Sequence, residues 1–494
     1  MQDAELVDSL SVGARLSDAD QSLLQINISL TEKGEESWEH VVNILFEYCE
    51  MLLDLSRRAK NGDENDLNTL KRIWDEIYTL RALNFHQTSP NQAYSLAPSL
   101  ANSVRKNGTE KCLSLGSLLD ESKDSLPLDN VLGFMEKVKP ENCIVERCSN
   151  AAWNNLNEGG ESNEDFGFQT EKWYGVRYHL SPIDQSTVDS WKGITATDEK
   201  SSIVGTYKLH LPDENNHIPR DLSMCADLSE KAKEAPQISK VMDAPKLLIN
   251  DGFGRLWHRL DDRYCLPKSI LSILIRNPEI ENVFNDATNE WSYDTSASFH
   301  SAILINVFQD ALAQQMYDAE LAGLHWNLSK TSSGLHLSFS GYSSANNQHL
   351  VDFALNIISR FFANQEGVGD SFLMEKHFRT NKDKYLRSLN SYLESKRADS
   401  YAMYYTDLVL SSQGKGIEHA IAAAESITLD GVKEHHQRLI SNSASVECLF
   451  GGNVGERDAK QFFTRSQDLI TTARTSSSQK PQKWIPGKIT LQGF

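Results

Sequence analysis

Hydrolysis at a zinc ion asks for two histidines one helical turn apart with an adjoining glutamate, written HxxEH or HExxH. In that spacing both imidazoles face one ion and the carboxylate activates its water. Neither spacing occurs in this chain. The nearest approach is Glu36-Ser37-Trp38-Glu39-His40, with Glu where the first ligand would stand. It opens an amphipathic stretch, where acids suit the helix dipole, and reads as a solvated helix N-terminus. His435 and His436 follow Glu434, but adjacent helical residues point about 100° apart and cannot share an ion as an i, i+4 pair can. They read as a surface pair. No GxSxG elbow, GxxxxGK[ST] phosphate loop or complete GxGxxG is present, since Trp257 stands where the third glycine after Gly252 and Gly254 would be. Asp294-Thr295-Ser296 is a single aspartic triplet where that chemistry needs two carboxylates sharing a proton, and it reads as a turn. The residues by themselves outline no self-sufficient active site.

Bulk properties narrow the classes further. Across 494 residues, 49 Lys and Arg stand against 68 Asp and Glu, and the formal charge of −19 repels phosphate backbones, arguing against nucleic acid. Cationic partners or peptides would be attracted instead. No apolar run reaches the ~18 residues that a membrane span needs. The seven cysteines are odd in number and contain no CxxC, which reads as free thiols in a reducing compartment. The first residues, MQDAELVDSL, carry acids where a secretory signal wants a basic start, so the expected location is cytoplasmic.

The elements that would position any site follow one pattern used twice. Ser22 to Leu30 alternates as a strand, Gly34 breaks it, and Trp38 to Leu55 has helical spacing. Helices over Asp66 to Leu83, Asn91 to Val104 and Leu128 to Val138 follow, with a short strand at Asn142 to Val145. Far downstream, Leu335 to Phe339 alternates, Gly341 breaks it, and Gln348 to Phe362 is again amphipathic. Helices over Phe372 to Leu393, Ser400 to Leu410 and Leu429 to Leu439 lead to a strand, Ser445 to Phe450, ended by Gly451-Gly452. The spacing predicts an internal duplication of an α+β unit. The second copy alone is preceded by a strand-like stretch, Gly254 to Ile275, and a helix, His300 to Leu321, so the first is expected to be incomplete at its N-terminus. Asn157 to Asp165 reads as a linker, Asp198 to Val241 as an extended connector, and Thr471 to Gln482 as a mobile tail.

Six strings, taken together, carry a resemblance. They are Glu171-Lys172-Trp173-Tyr174-Gly175 with Tyr178; Leu211-Pro212 with His217-Ile218-Pro219; Leu256-Trp257-His258 through Leu260-Asp261-Asp262 with Leu266-Pro267-Lys268; Ala319 to Leu324; Leu386 to Asn390; and Ala402-Met403-Tyr404-Tyr405. In order and spacing they resemble the middle of the insulysin- and pitrilysin-like zinc metalloendopeptidases, from about Leu6 to the C-terminus. The resemblance implies two homologous metalloenzyme-like α/β-roll domains, each an antiparallel-rich sheet covered by helices. Their expected extents are 1–155 for a partial second family domain, 156–242 for a connector, 243–475 for the third domain and 476–494 for a tail.

It also implies proteolysis of peptide substrates in an enclosed chamber, with zinc held by an HxxEH motif in a family domain this chain lacks. No catalytic residue, metal ligand or bound zinc is therefore expected here, and the expected partners are peptides together with the remaining family domains or a second copy. The family grips substrate by strand pairing at an exosite. Leu10 to Ala14 resembles that edge, with Leu10 and Gly13 the matching positions. Trp173, Tyr174 and Tyr178 are expected to pack the chain against its neighbour, Glu320 to order a helix end with Gly323 as its stop, and Arg387 and Asn390 to tie a helix to a carbonyl or carboxylate. Two readings follow: a natural fragment or incomplete gene model of such a peptidase, inactive alone, or a stand-alone pseudo-peptidase that binds peptides or a partner.

Overall fold

The computed structural model describes residues 1, 4–17, 22–87, 93–114, 118–119, 125–149, 169–192, 200–202, 205–207, 209–231, 243–285, 287–288, 290–363, 372–392, 397–410, 416–441 and 445–476. The linker expected at Asn157 to Asp165 lies outside them, as do parts of the connector and the residues beyond 476. The contacts divide the chain into Met1–Ala82 with Asn102–Glu214, and Leu83–Ala101 with Asn215–Phe494.

The first unit opens on two strands, β1 (Val7–Ser17) and β2 (Ser22–Leu30), paired antiparallel. The longest helix lying wholly within it is α1 (Trp38–Lys60), which buries Val41, Ile44, Phe46, Leu53, Leu55 and Ala59 at helical spacing. Beyond it run α2 (Glu64–His86), α3 (Ala93–Lys111), α4 (Leu128–Met135) and α5 (Gln185–Lys192). Trp191 of α5 stacks on Phe46 of α1, with centroids 5.7 Å apart, and closes the core on that side. The strand expected at Asn142 to Val145 is absent. A 3-10 turn over Pro140–Asn142 leads into backbone with no ladder partner among the described residues, and four residues without a neighbouring edge do not make a sheet.

The second unit holds the larger core, built on a six-stranded sheet. Its strands are β3 (Lys246–Asn250), β4 (Gly254–Leu260), β5 (Lys268–Arg276), β6 (His325–Thr331), β7 (Gly334–Tyr342) and β8 (Ser445–Gly452), in the order β6-β7-β5-β8-β4-β3. Every pairing is antiparallel except β8 with β4. Period-two alternation turns rows of apolar side chains to one face: Leu337, Ile273, Cys448 and Leu256 form one row, and Phe339, Leu271 and Phe450 another. Helices cover that face and the edges: α6 (Thr295–Leu321), α7 (Gln348–Phe362), α8 (Glu375–Asn390), α9 (Ala398–Leu410), α10 (Ile417–Glu425), α11 (Leu429–Ser441) and α12 (Glu456–Ser476). Phe308 of α6 meets Phe361 of α7 edge-on at 5.1 Å, at the centre of the core. The opposite face is mixed, carrying the exposed Ile270 and also Glu447 between Arg276 at 2.6 Å and Arg255 at 3.4 Å.

The expected α+β class and antiparallel-rich sheet are what the chain builds, and several local expectations need correction. Gly254 to Ile275 is two strands joined by a turn at Asp261–Cys265. Gly341 does not break its strand but lies within it, where a Cβ would stand 2.7 Å from the Gly323 carbonyl, and the strand expected over Ser445 to Phe450 runs on to end at Gly452. Thr471 to Ser476 is the last part of α12, whose Ile470 is buried, rather than a tail. Asp294 is more than a turn residue: its carboxylate accepts from the Ser296 and Ala297 amides and caps α6.

A candidate peptide-binding edge

The β1–β2 ribbon is fixed at its base and bare along its length. Leu6 and Val7 are buried with Val41 of α1, and Ile28 and Leu30 pack on them. The Thr31 amide donates to the Leu6 carbonyl at 3.2 Å, the Thr31 hydroxyl to the Glu5 carbonyl, and Lys33 to the Ala4 carbonyl at 2.9 Å. Glycine is obligatory at position 34, where a Cβ would fall 1.8 Å from the Leu6 oxygen. Chain approach at this depth anchors the ribbon to the helix that follows.

Beyond the base, pairing is regular from Ser9 to Ala14, bracketed by register shifts at Asp8 and Arg15. Leu10 stands opposite Ile28, Val12 opposite Ile26 and Ala14 opposite Leu24, which gathers one apolar face. That face is uncovered: Leu10 is 46% and Val12 57% exposed. Ser9, Ser11 and Gly13 share the other face with Ser29, Asn27 and Gln25. Gly13 has no atom within 4 Å of where a Cβ would stand. Among the described residues β1 pairs with β2 alone, so its far side offers unpaired amides and carbonyls to an extended chain.

The other candidate residues fall elsewhere. Trp173 and Tyr174, expected to pack, are 79% and 89% exposed at the tip of a small hairpin. The Glu171 carboxylate organises that tip by accepting from both their amides, at 2.8 and 2.6 Å. Gly323 does stop α6: at φ +84 it donates to the Glu320 carbonyl while Leu324 donates to that of Ala319, a Schellman closure. That closure uses the Glu320 backbone. Arg387 and Asn390 make no side-chain hydrogen bond among the described residues.

His435 and His436 overturn the surface reading, since both are fully buried. Their surroundings explain it: Val432, His435, His436, Leu439 and Ile440 form one stripe at i, i+3, i+4, i+7 and i+8, and that stripe faces the core. The periodicity was present in the sequence, and counting histidine as polar hid it. At the helix start, His40 Nε2 is buried and unpaired rather than solvated.

The zinc that the family implies finds no fit among the described residues, where no group of three His, Cys, Asp or Glu could hold a metal. His435 and His436 each direct Nε2 to a protein oxygen instead, the Ser301 hydroxyl and the Phe361 carbonyl, both at 2.7 Å. No helix of the described residues is long and apolar enough to cross a membrane, and none of the seven cysteines is in a disulfide.

The described residues thus build a helix-covered, antiparallel-rich sheet in one unit and an α+β ribbon-and-helix arrangement in the other. The family model described as the middle or third domain of peptidase_M16 matches residues 85–423, and the chain belongs to that family. Over 452 residues it is 26% identical to insulin-degrading enzyme of Bos taurus, covering 91% of this chain and 37% of that protein. Over 322 residues it is 24% identical to nardilysin of Mus musculus, covering 65% of this chain and 23% of that one. The chain thus spans well under half the length of the curated relatives it matches. The crystal structure of pitrilysin shares the fold at a TM-score of 0.57 and 19% identity, over 97% of this chain and 43% of that chain.

Proposed function

We propose that this chain supplies the substrate-holding wall of an insulysin-like zinc metalloendopeptidase, with the zinc and its general base contributed by residues outside the chain. The observation that carries the reading is the free edge of β1, with regular rungs from Ser9 to Ala14 and the exosite-like positions Leu10 and Gly13 within them. Main-chain bonds along that edge supply affinity for extended peptides, and the bare Leu10 and Val12 side chains add apolar contact. Peptides are the ligands, and the remaining family domains or a second copy are the partners. The location is the cytoplasm, in keeping with seven cysteines outside any disulfide. A second reading, a stand-alone pseudo-peptidase that captures peptides without cleaving them, rests on the lack of any three-ligand metal cluster among the described residues.

The test is a pair of proline substitutions at adjacent positions, Val12→Pro and Gly13→Pro. In an antiparallel pair, successive residues direct their N–H and C=O alternately to the partner strand and away from it. One of the two therefore faces β2 and the other the open edge. The edge-facing variant is expected to lose capture of a fluorescent extended peptide, by anisotropy, while keeping the wild-type melting temperature. Peptide binding indifferent to both substitutions would remove the exosite and leave a scaffold role.

A further inference from the structure

Two neighbouring imidazoles sit dry in the larger unit, and the geometry fixes the protonation state of each. Ser301 Oγ donates its single hydrogen to the Ile280 carbonyl at 2.8 Å, so toward His435 it can only accept, and His435 Nε2 carries the proton. His435 Nδ1 then presents a lone pair, met at 3.3 Å by Nη2 of Arg438, a group that only donates. His436 Nε2 donates to the Phe361 carbonyl at 2.7 Å, and its Nδ1 is buried with no partner. A second proton on either ring would meet a guanidinium in one case and hydrocarbon in the other.

We propose that His435 and His436 form an acid-sensitive latch that holds α11 against α6 and α7 only while both rings are neutral. The groups around His435 reinforce this. They are His300 of α6, with ring centroids 5.7 Å apart; Lys330 of β6, which is paired to Glu281; and Arg438, bridged at 3.3 Å to the buried Glu279 of the 3-10 turn before α6. Asp294 and Glu434 act on His300. Around His436 stand the rings of Phe361 and Phe372. Burial, then Arg438 and the neighbouring histidines and Lys330, hold His435 well below the usual imidazole range, and burial brings His436 to about 4. Because both folded values are depressed, the stabilisation is complete above the ordinary imidazole value of ~6.5 and is lost as pH falls toward the folded values. α11 packs on both α6 and α12, so its release on acidification loosens the cover of the core before the sheet itself yields.

The experiment uses the full chain labelled with 15N-histidine. At pH 5.5 the ring nitrogens of His435 and His436 are expected to report neutral Nε2–H tautomers rather than imidazolium. Hydrogen exchange, corrected for intrinsic rate, should show α11 amides losing protection between pH 7.5 and 5 with β5 amides unchanged. His436→Gln keeps an Nε2 donor for the Phe361 carbonyl but cannot take up a proton, and should remove a factor of roughly 30 from the acid-linked opening at pH 5. Folded protein with either ring charged at pH 5.5 would overturn the latch, as would α11 protection that does not change with pH. The first of these is read on the wild-type chain and holds whether or not the variant folds.

Discussion

Asn453 is fully buried and satisfies every polar atom it has. Its Oδ1 accepts from the Cys225 amide at 2.7 Å, its Nδ2 donates to the Ser223 and Ser343 carbonyls at 3.0 and 3.1 Å, and its own amide donates to the Lys268 carbonyl at 2.8 Å. Asn347 completes the knot by donating to the Asn453 carbonyl and accepting from Ser269 Oγ at 2.9 Å. Asn347 is left-handed, at φ 52, a conformation asparagine tolerates better than most residues. This cluster fastens the segment around Ser223 to the end of the sheet. Asn453→Ala strands one amide and two carbonyls in a dry site, and we expect it to lower unfolding free energy in urea by about 2 to 4 kcal/mol without changing the m-value. A loss under half a kilocalorie would mean that water replaces the amide.

At the level of elements, legibility tracked whether a segment's signal was local. The strand Ser22–Leu30 and the helix Gln348–Phe362 lie where the alternation and the 3.6 period place them, since each pattern is written wholly within its own residues. Glycines were misleading because their meaning depends on what approaches them: Gly254 faces the Val446 carbonyl, which a Cβ would meet at 1.9 Å, and no reading of residues 250–260 supplies that neighbour. Ala459, Phe462, Phe463, Ser466 and Ile470 form a periodic buried set along α12, a signal that the Ser- and Thr-rich end of that helix masked. The peptide edge was legible as a strand, whereas its bare apolar face was not, since exposure of Leu10 and Val12 depends on what fails to cover them. The α6 N-cap offers a direct check. Asp294→Ala removes the acceptor for two amides at the head of a 27-residue helix and should cost about 1 kcal/mol in denaturant titrations, with Asp294→Asn close to wild type.

For the whole molecule, the division of labour is between one unit with a large core and another that presents an open ribbon. The core of the second unit runs continuously from Phe253 to Ile470, and the apolar cluster beside the ribbon is confined to Leu6, Val7 and Val41 with a few half-buried neighbours. With no three-ligand cluster among the described residues, the isolated chain is expected to retain no stoichiometric zinc after dialysis and to leave a quenched peptide uncut. Elemental analysis with a chelator-sensitive cleavage assay checks both, and one zinc per chain with inhibitable cleavage would place the chemistry within this sequence after all. The expected duplication rests on order alone, the succession of strand, glycine and helix in the sequence.

The place of β8 in the sheet has a kinetic consequence. It is the last strand of this sheet in chain order among the described residues, yet it lies between β5 and β4, parallel to β4, with Val446 opposite Gly254. Until it arrives, β3–β4 and β5–β7–β6 are separate partial sheets, each with a naked edge where β8 belongs. Nearly the whole intervening chain must be ordered as a closed loop before those edges are covered, which makes the final insertion a high-contact-order step and a slow one. During synthesis the nascent module therefore passes through a long interval with two sticky edges exposed, and its yield depends on whatever shields them until β8 emerges.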